Sequence, residues 1–134
     1  MIDELLATCP RYRGVCSNPI FIIGSPRSGT TALARSLAQH SQLWTSEESD
    51  ILFHLFGNQQ AEKAFKEATD TTANRWLKTQ QVDKKEFLAF LGLGLNALFT
   101  SRSQGKRWVD HTPIYAVIGD VLADLFPGRC LSIF

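Results

Sequence analysis

Pro19-Ile20-Phe21-Ile22-Ile23-Gly24-Ser25-Pro26-Arg27-Ser28-Gly29-Thr30-Thr31 is the stretch on which the reading of this chain turns. A short apolar, β-branched run enters a Gly/Ser/Pro turn, and the turn opens into a helical pattern, Ala32-Leu33-Ala34-Arg35-Ser36-Leu37. Strand, glycine loop and helix in that order aim backbone N–H groups and a helix N-terminus at one point, which suits a phosphate-like anion. Gly24 and Gly29 have the spacing of the P-loop pattern G-x-x-x-x-G-K-[ST], but Thr30 stands where that pattern has lysine. Thr31 keeps the hydroxyl. The cation of the loop is instead Arg27, which projects from the turn and not from the first helical turn. Its guanidinium forks onto oxyanions through paired N–H donors and stays charged at any working pH. The loop reads as made for a phosphate-like group, though not obviously for Mg·ATP; a glycine turn with no ligand is the alternative.

Outward from the loop, the chain reads as α/β. It has 134 residues, enough for one domain with a reasonable core. Strands are expected at about 20–23, 43–45, 108–109 and 129–134, and helices at 1–9, 30–39, 49–56, 61–68, 72–79, 83–99 and 113–125. Gly57 is the expected stop of the third of these helices, and Asp83 with Glu86 three residues on makes a capping box. Strands alternating with helices imply crossovers onto a mostly parallel sheet, with ligands beyond the carboxyl ends of the strands, where Gly24–Thr31 falls. The strand at Trp44 is expected beside the first strand.

Charge and composition narrow the partners. Fourteen Lys plus Arg against thirteen Asp plus Glu leave a formal net charge of +1, with no general pull towards nucleic acid or an anionic membrane. Any anion site must be local. The N-terminus lacks the apolar core of a secretory peptide, and the apolar run from Phe87 to Phe99 is too short to span a bilayer. Cys9, Cys16 and Cys130 show no zinc-like pairing; no metal is expected, and reduced thiols fit a cytoplasmic protein.

Pro26-Arg27-Ser28-Gly29-Thr30-Thr31 resembles the 5′-phosphosulfate-binding loop of sulfotransferases that use 3′-phosphoadenosine 5′-phosphosulfate (PAPS). Trp44-Thr45-Ser46-Glu47-Glu48 is similar to the second strand and acidic pair of the tyrosylprotein and bacterial branches. Arg107-Trp108-Val109-Asp110-His111-Thr112-Pro113-Ile114-Tyr115 resembles the family segment W-x-D/E-K-T-P-x-Y, and residues 125–134 resemble L-F-P-x-A-K-x-I. The resemblance implies a P-loop-type three-layer fold and transfer of a sulfuryl group from PAPS, without metal, to a hydroxyl or amine on a small-molecule or carrier-bound acceptor. It implies a cofactor site at Ser25, Pro26, Arg27, Ser28, Gly29, Thr30 and Thr31. Residues 1–18 would be an N-terminal extension, and 19–134 the N-terminal part of a truncated sulfotransferase domain.

Three residues are the catalytic candidates: Arg27 for the leaving oxyanion, Glu48 as general base with Glu47 behind it, and His111 where the family usually has lysine. Against them stand blander roles: both glutamates could offset the dipole of the next helix, and His111 could be structural. His40 and His54 read as incidental, and Trp44, Trp76 and Trp108 as core or site wall. Two rivals remain, a P-loop small-molecule kinase and a nucleotide-binding module without catalysis; Thr30 in the lysine position argues against the first. Oligomeric state is left open. The strand ending at Phe134 is expected centrally, next to the first strand, with Leu131 and Ile133 exposed. The alternative is that helices 83–99 and 113–125 cover both faces of the sheet.

Overall fold

The structure, a computed structural model, describes residues 12–25, 27, 29–70 and 75–128, and the backbone of 130–133. The expected helix at 1–9, the start of that at 72–79, and the side chains of Leu131 and Ile133 lie outside this set. The elements run β1 (Ile20–Ile23), α1 (Thr30–Leu37), β2 (Leu43–Thr45), α2 (Ile51–Phe56), a 3₁₀ turn (Gly57–Gln59) and α3 (Gln60–Thr69). They continue with α4 (Trp76–Thr79), α5 (Lys84–Thr100), β3 (Arg107–Asp110), a 3₁₀ stretch (Pro113–Ile118), α6 (Gly119–Leu125) and β4 (Cys130–Ile133).

The four described strands form one parallel sheet in the order β2-β3-β1-β4. Two expectations about its order are corrected. β2 lies beside β3, not β1: Trp44 registers with Trp108, and Phe21 of β1 with Asp110. The reason is burial. Trp108 and Val109 point to opposite faces and are both buried, which suits an inner position, whereas all three β2 residues are only half-buried. β4 does pair with β1 along its whole length, but it is the outer strand among those described and not a central one.

Alternation along β1 divides the core. Phe21 and Ile23 face a large cluster with Leu52, Leu88, Trp108, Tyr115, Leu122 and Leu125, while Ile22 faces Ala34 and Val109 on the other side. α1 therefore covers one face and α2, α5 and α6 the other, which makes three layers. α5 and α6 share a face and do not take one each.

α5 begins as expected: the Asp83 carboxylate accepts from the Glu86 N–H at 2.8 Å. At its middle, Gly92 lies against the Leu125 backbone, where any Cβ would overlap the Leu125 carbonyl. Near its end, Asn96 clasps the chain that leads into β1. The Cys16 N–H donates to Asn96 Oδ1 (2.8 Å) and Asn96 Nδ2 donates to the Cys16 carbonyl (2.9 Å). Gly57 does end α2, but with extended backbone (φ −65°, ψ 158°) and not the left-handed cap. Trp76, expected as core or site wall, is 69% exposed on the single turn of α4.

Candidate active site

β1 ends at Ile23, and the Gly24 N–H donates to the Pro113 carbonyl at 3.2 Å, which ties the start of the loop to the segment after β3. The backbone then turns through two left-handed residues, Arg27 (φ 63°) and Gly29 (φ 90°). Gly29 caps α1, and its carbonyl accepts from the Leu33 N–H. A Cβ on Gly29 would touch nothing, so it is the positive φ that calls for glycine there. No acidic residue occupies the first turn of α1, so its positive end is not offset from within the helix. Thr30 is 3% exposed, Thr31 half-buried, and Ser25 and Arg27 are exposed. Pro26 and Ser28 lie outside the described residues.

An open cleft of about 740 Å³ lies over this loop, within the range of small-ligand sites. Arg27, Gly29, Thr30, Thr31, Arg35 and Glu48 line it, with Ala32, Asp50, Pro113 and Ile114 in the rest of its wall. Glu48 thus faces the same space as Arg27 although it comes from the segment after β2. Neither Glu47 nor Glu48 caps the following helix: α2 has Asp50 at its N-cap and no acidic residue in its first turn. Glu47 lines a different cleft, among Trp44, Leu98, Phe99, Arg102 and Trp108. The two adjacent glutamates are divided between two cavities.

Beneath the Glu48 segment lies a buried polar network. Asp110, at the end of β3, accepts from Ser49 Oγ, from the Thr112 N–H (3.0 Å) and from Thr112 Oγ1 (2.7 Å). Thr112 Oγ1 in turn accepts from the Ser49 N–H (3.1 Å). Tyr115 accepts from the Leu52 N–H (3.1 Å) and lies 2.6 Å from Ser49 Oγ. With Ser49 donating to the carboxylate, the Tyr115 proton goes to Ser49, and every hydroxyl has a defined direction. Burial pushes the Asp110 carboxyl above its ordinary range, against the pull of the Ser49 and Thr112 hydrogen bonds. Burial, and then the Asp110 charge, push Tyr115 up to about 12.

His111 is 4% exposed, and its Nε2 lies 2.7 Å from the Ser46 carbonyl. Nε2–H therefore donates, and Nδ1 is buried without a hydrogen-bond partner among the described residues. His111 is not among the residues lining the Arg27–Glu48 cleft. The geometry brings Arg27, Gly29, Thr30, Thr31 and Glu48 together and sets His111 under the strand-to-helix segment that carries Glu48. The sequence reading missed Arg35, Asp50 and the Ser49–Asp110–Tyr115 network. Arg35 had a signal, since it follows Thr31 by one helical turn on the same face. His40 accepts from the Gln42 N–H, and His54 lies 3.4 Å from Asp50. Among the described residues no group of three His, Cys, Asp or Glu is placed to hold a metal ion, and no helix is long and apolar enough to cross a membrane.

The sequence model of the sulfotransferase family matches residues 19–131. The chain belongs to that family. The match spans β1 and the Gly24–Thr31 loop, the Glu48 segment, the Asp110 network and the start of β4. No curated protein and no solved structure matches this sulfotransferase-family chain.

Proposed function

We propose that this sulfotransferase-family domain takes PAPS as sulfuryl donor and transfers the group to a hydroxyl or amine acceptor in the cleft between the Gly24–Thr31 loop and Glu48. One observation carries the reading: Arg27 and Glu48, from different segments, line one cleft together with the N-terminal turn of α1. The donor set fits a phosphosulfate, with an exposed guanidinium, a glycine in the left-handed region, an uncompensated helix N-terminus and two threonine hydroxyls. PAPS, when bound, supplies an activated sulfuryl group on a phosphate leaving group.

The residues of this chain divide the remaining work. Arg27 and the N-terminal turn of α1 hold negative charge and stabilise more of it as it builds on the leaving side. Arg35 adds a second cation to the same wall. Glu48 is exposed to the cleft and accepts the proton of the attacking group, with Glu47 set aside by its position in the other cleft. His111 positions: its hydrogen bond to Ser46 holds the segment that carries Glu48. Cys16 is a free thiol, which suits a reducing cytoplasm.

Calorimetric titration tests donor class. The chain is expected to bind adenosine 3′,5′-bisphosphate without magnesium and more tightly than Mg·ATP, with R27A weakening the interaction. Equal or tighter Mg·ATP binding would replace this reading with that of a kinase or nucleotide-binding module.

A further inference from the structure

Trp44 of β2 registers with Trp108 of β3, which sets the two indoles side by side on one face of the sheet. The end of α5 brings Leu98 and Phe99 to them, and the Phe99 and Trp108 rings meet edge to face with centroids 5.0 Å apart. Among these four side chains lies a cleft of about 330 Å³, which shares no lining residue with the Arg27–Glu48 cleft. Its size is at the small end of ligand sites, and apolar walls with a few polar groups are their usual lining.

The polar groups fall into two sets. Ser49 and Asp110 are already hydrogen-bonded to each other and to Tyr115 and Thr112. Glu47 and Arg102 are different. Both are exposed, both line the cleft, and among the described residues neither makes an ion pair with the other or with any third side chain. The Arg102 guanidinium gives one N–H to Ser101 Oγ (2.6 Å), which leaves most of its fork of donors.

An apolar slot carrying one unpaired anion and one unpaired cation selects a ligand with the reverse pattern. An aromatic acid without an amine would satisfy Arg102 and meet repulsion from Glu47. An aromatic amine without a carboxylate would do the opposite. A zwitterion without an apolar body would leave the half-buried Trp44 and Phe99 faces and the 52%-exposed Leu98 in water. We propose that this cleft is a second small-molecule site, for a free α-amino acid with a large apolar side chain, its ammonium on Glu47, its carboxylate on Arg102 and its side chain between Trp44, Leu98, Phe99 and Trp108. The site stands apart from the donor reading, because its occupant needs neither PAPS nor turnover.

Trp44 and Trp108 in the wall supply the readout. L-phenylalanine is titrated into the 134-residue chain while tryptophan fluorescence is excited where phenylalanine does not absorb. Saturable binding is expected, with phenylalanine amide and 3-phenylpropanoate each about tenfold weaker, the worth of one charge-assisted contact, and glycine weaker still. Glu47→Gln is expected to erase the preference over 3-phenylpropanoate and keep that over the amide, and Arg102→Gln the reverse, with circular dichroism confirming that both variants are folded. No saturable response to L-phenylalanine, equal affinity for the three aromatic probes, or preferences that survive both substitutions would overturn the proposal.

Discussion

Glu48 and Arg27 share a cleft, and substitution should separate the roles proposed for them, one toward the acceptor and one toward the donor. Glu48→Gln is expected to slow transfer about 10²–10⁴-fold, the usual worth of a positioned base, while donor binding in a titration stays near wild type. Arg27→Ala is expected to weaken donor binding by about 1.5–3 kcal/mol, the range for a charge-assisted contact; an unchanged affinity would remove Arg27 from the site. Asp110 makes a different prediction. Its carboxyl is raised in the folded chain, so the native state holds this proton to a higher pH than the unfolded state does. The associated stability is full below about pH 4 and is lost as pH rises through the folded value. Urea titrations at a series of pH values should show wild type losing stability relative to D110N along that path. Tyr115 behaves likewise at the alkaline end: stability held below about pH 10 is lost by about pH 12, and Y115F abolishes that fall. At this scale the sequence exposed Arg27 and Glu48 through the motifs around them. The Ser49–Asp110–Tyr115 network was hidden because Ser49 lies 61 and 66 residues from Asp110 and Tyr115 and meets them only by folding.

Among the elements, the two glycines of α5 set up an opposed pair of outcomes. Gly92→Ala forces a methyl group into the Leu125 backbone and should destabilise the fold by about 1–3 kcal/mol or more, as overpacking does. Gly94→Ala meets nothing within 4 Å among the described residues and should stabilise the fold by about 1 kcal/mol through helix propensity, measured by denaturation in dilute solution. Local pattern was a good guide to single elements. The Ile20–Ile23 run gave β1 its limits, and Asp83 with Glu86 marked the start of α5, because both signals act within a few residues. Strand order was not legible. Whether β2 lies beside β1 or β3 depends on which strand has both faces buried, and a three-residue segment such as Leu43–Thr45 carries no periodicity long enough to tell. Nor did the pattern show that Pro113–Ile118 winds as a 3₁₀ stretch before α6 begins.

For the molecule as a whole, the Asn96 clasp joins the chain entering β1 to a helix 80 residues later. Asn96→Ala removes three hydrogen bonds at once, to both backbone groups of Cys16 and to Thr100. It should cost about 1–3 kcal/mol if one of those partners is left without a replacement, and the Cys16 amide should then exchange its hydrogen faster than in the wild type. The same long reach governs the sheet. Strand β1 is Ile-Phe-Ile-Ile, and its only described neighbours are β3 and β4, made some 90 and 110 residues after it. A nascent chain therefore carries an adhesive strand without its described β3 and β4 neighbours until residues 107–133 have been made, and closing such distant pairs is slow. The helices between can form as they emerge, but the layer that gives the Gly24–Thr31 loop its footing cannot. During that interval the loop proposed to cradle an anion is attached to a segment better suited to sticking to other chains, so the yield of folded protein should depend on translation speed and on holding chaperones more than on final stability.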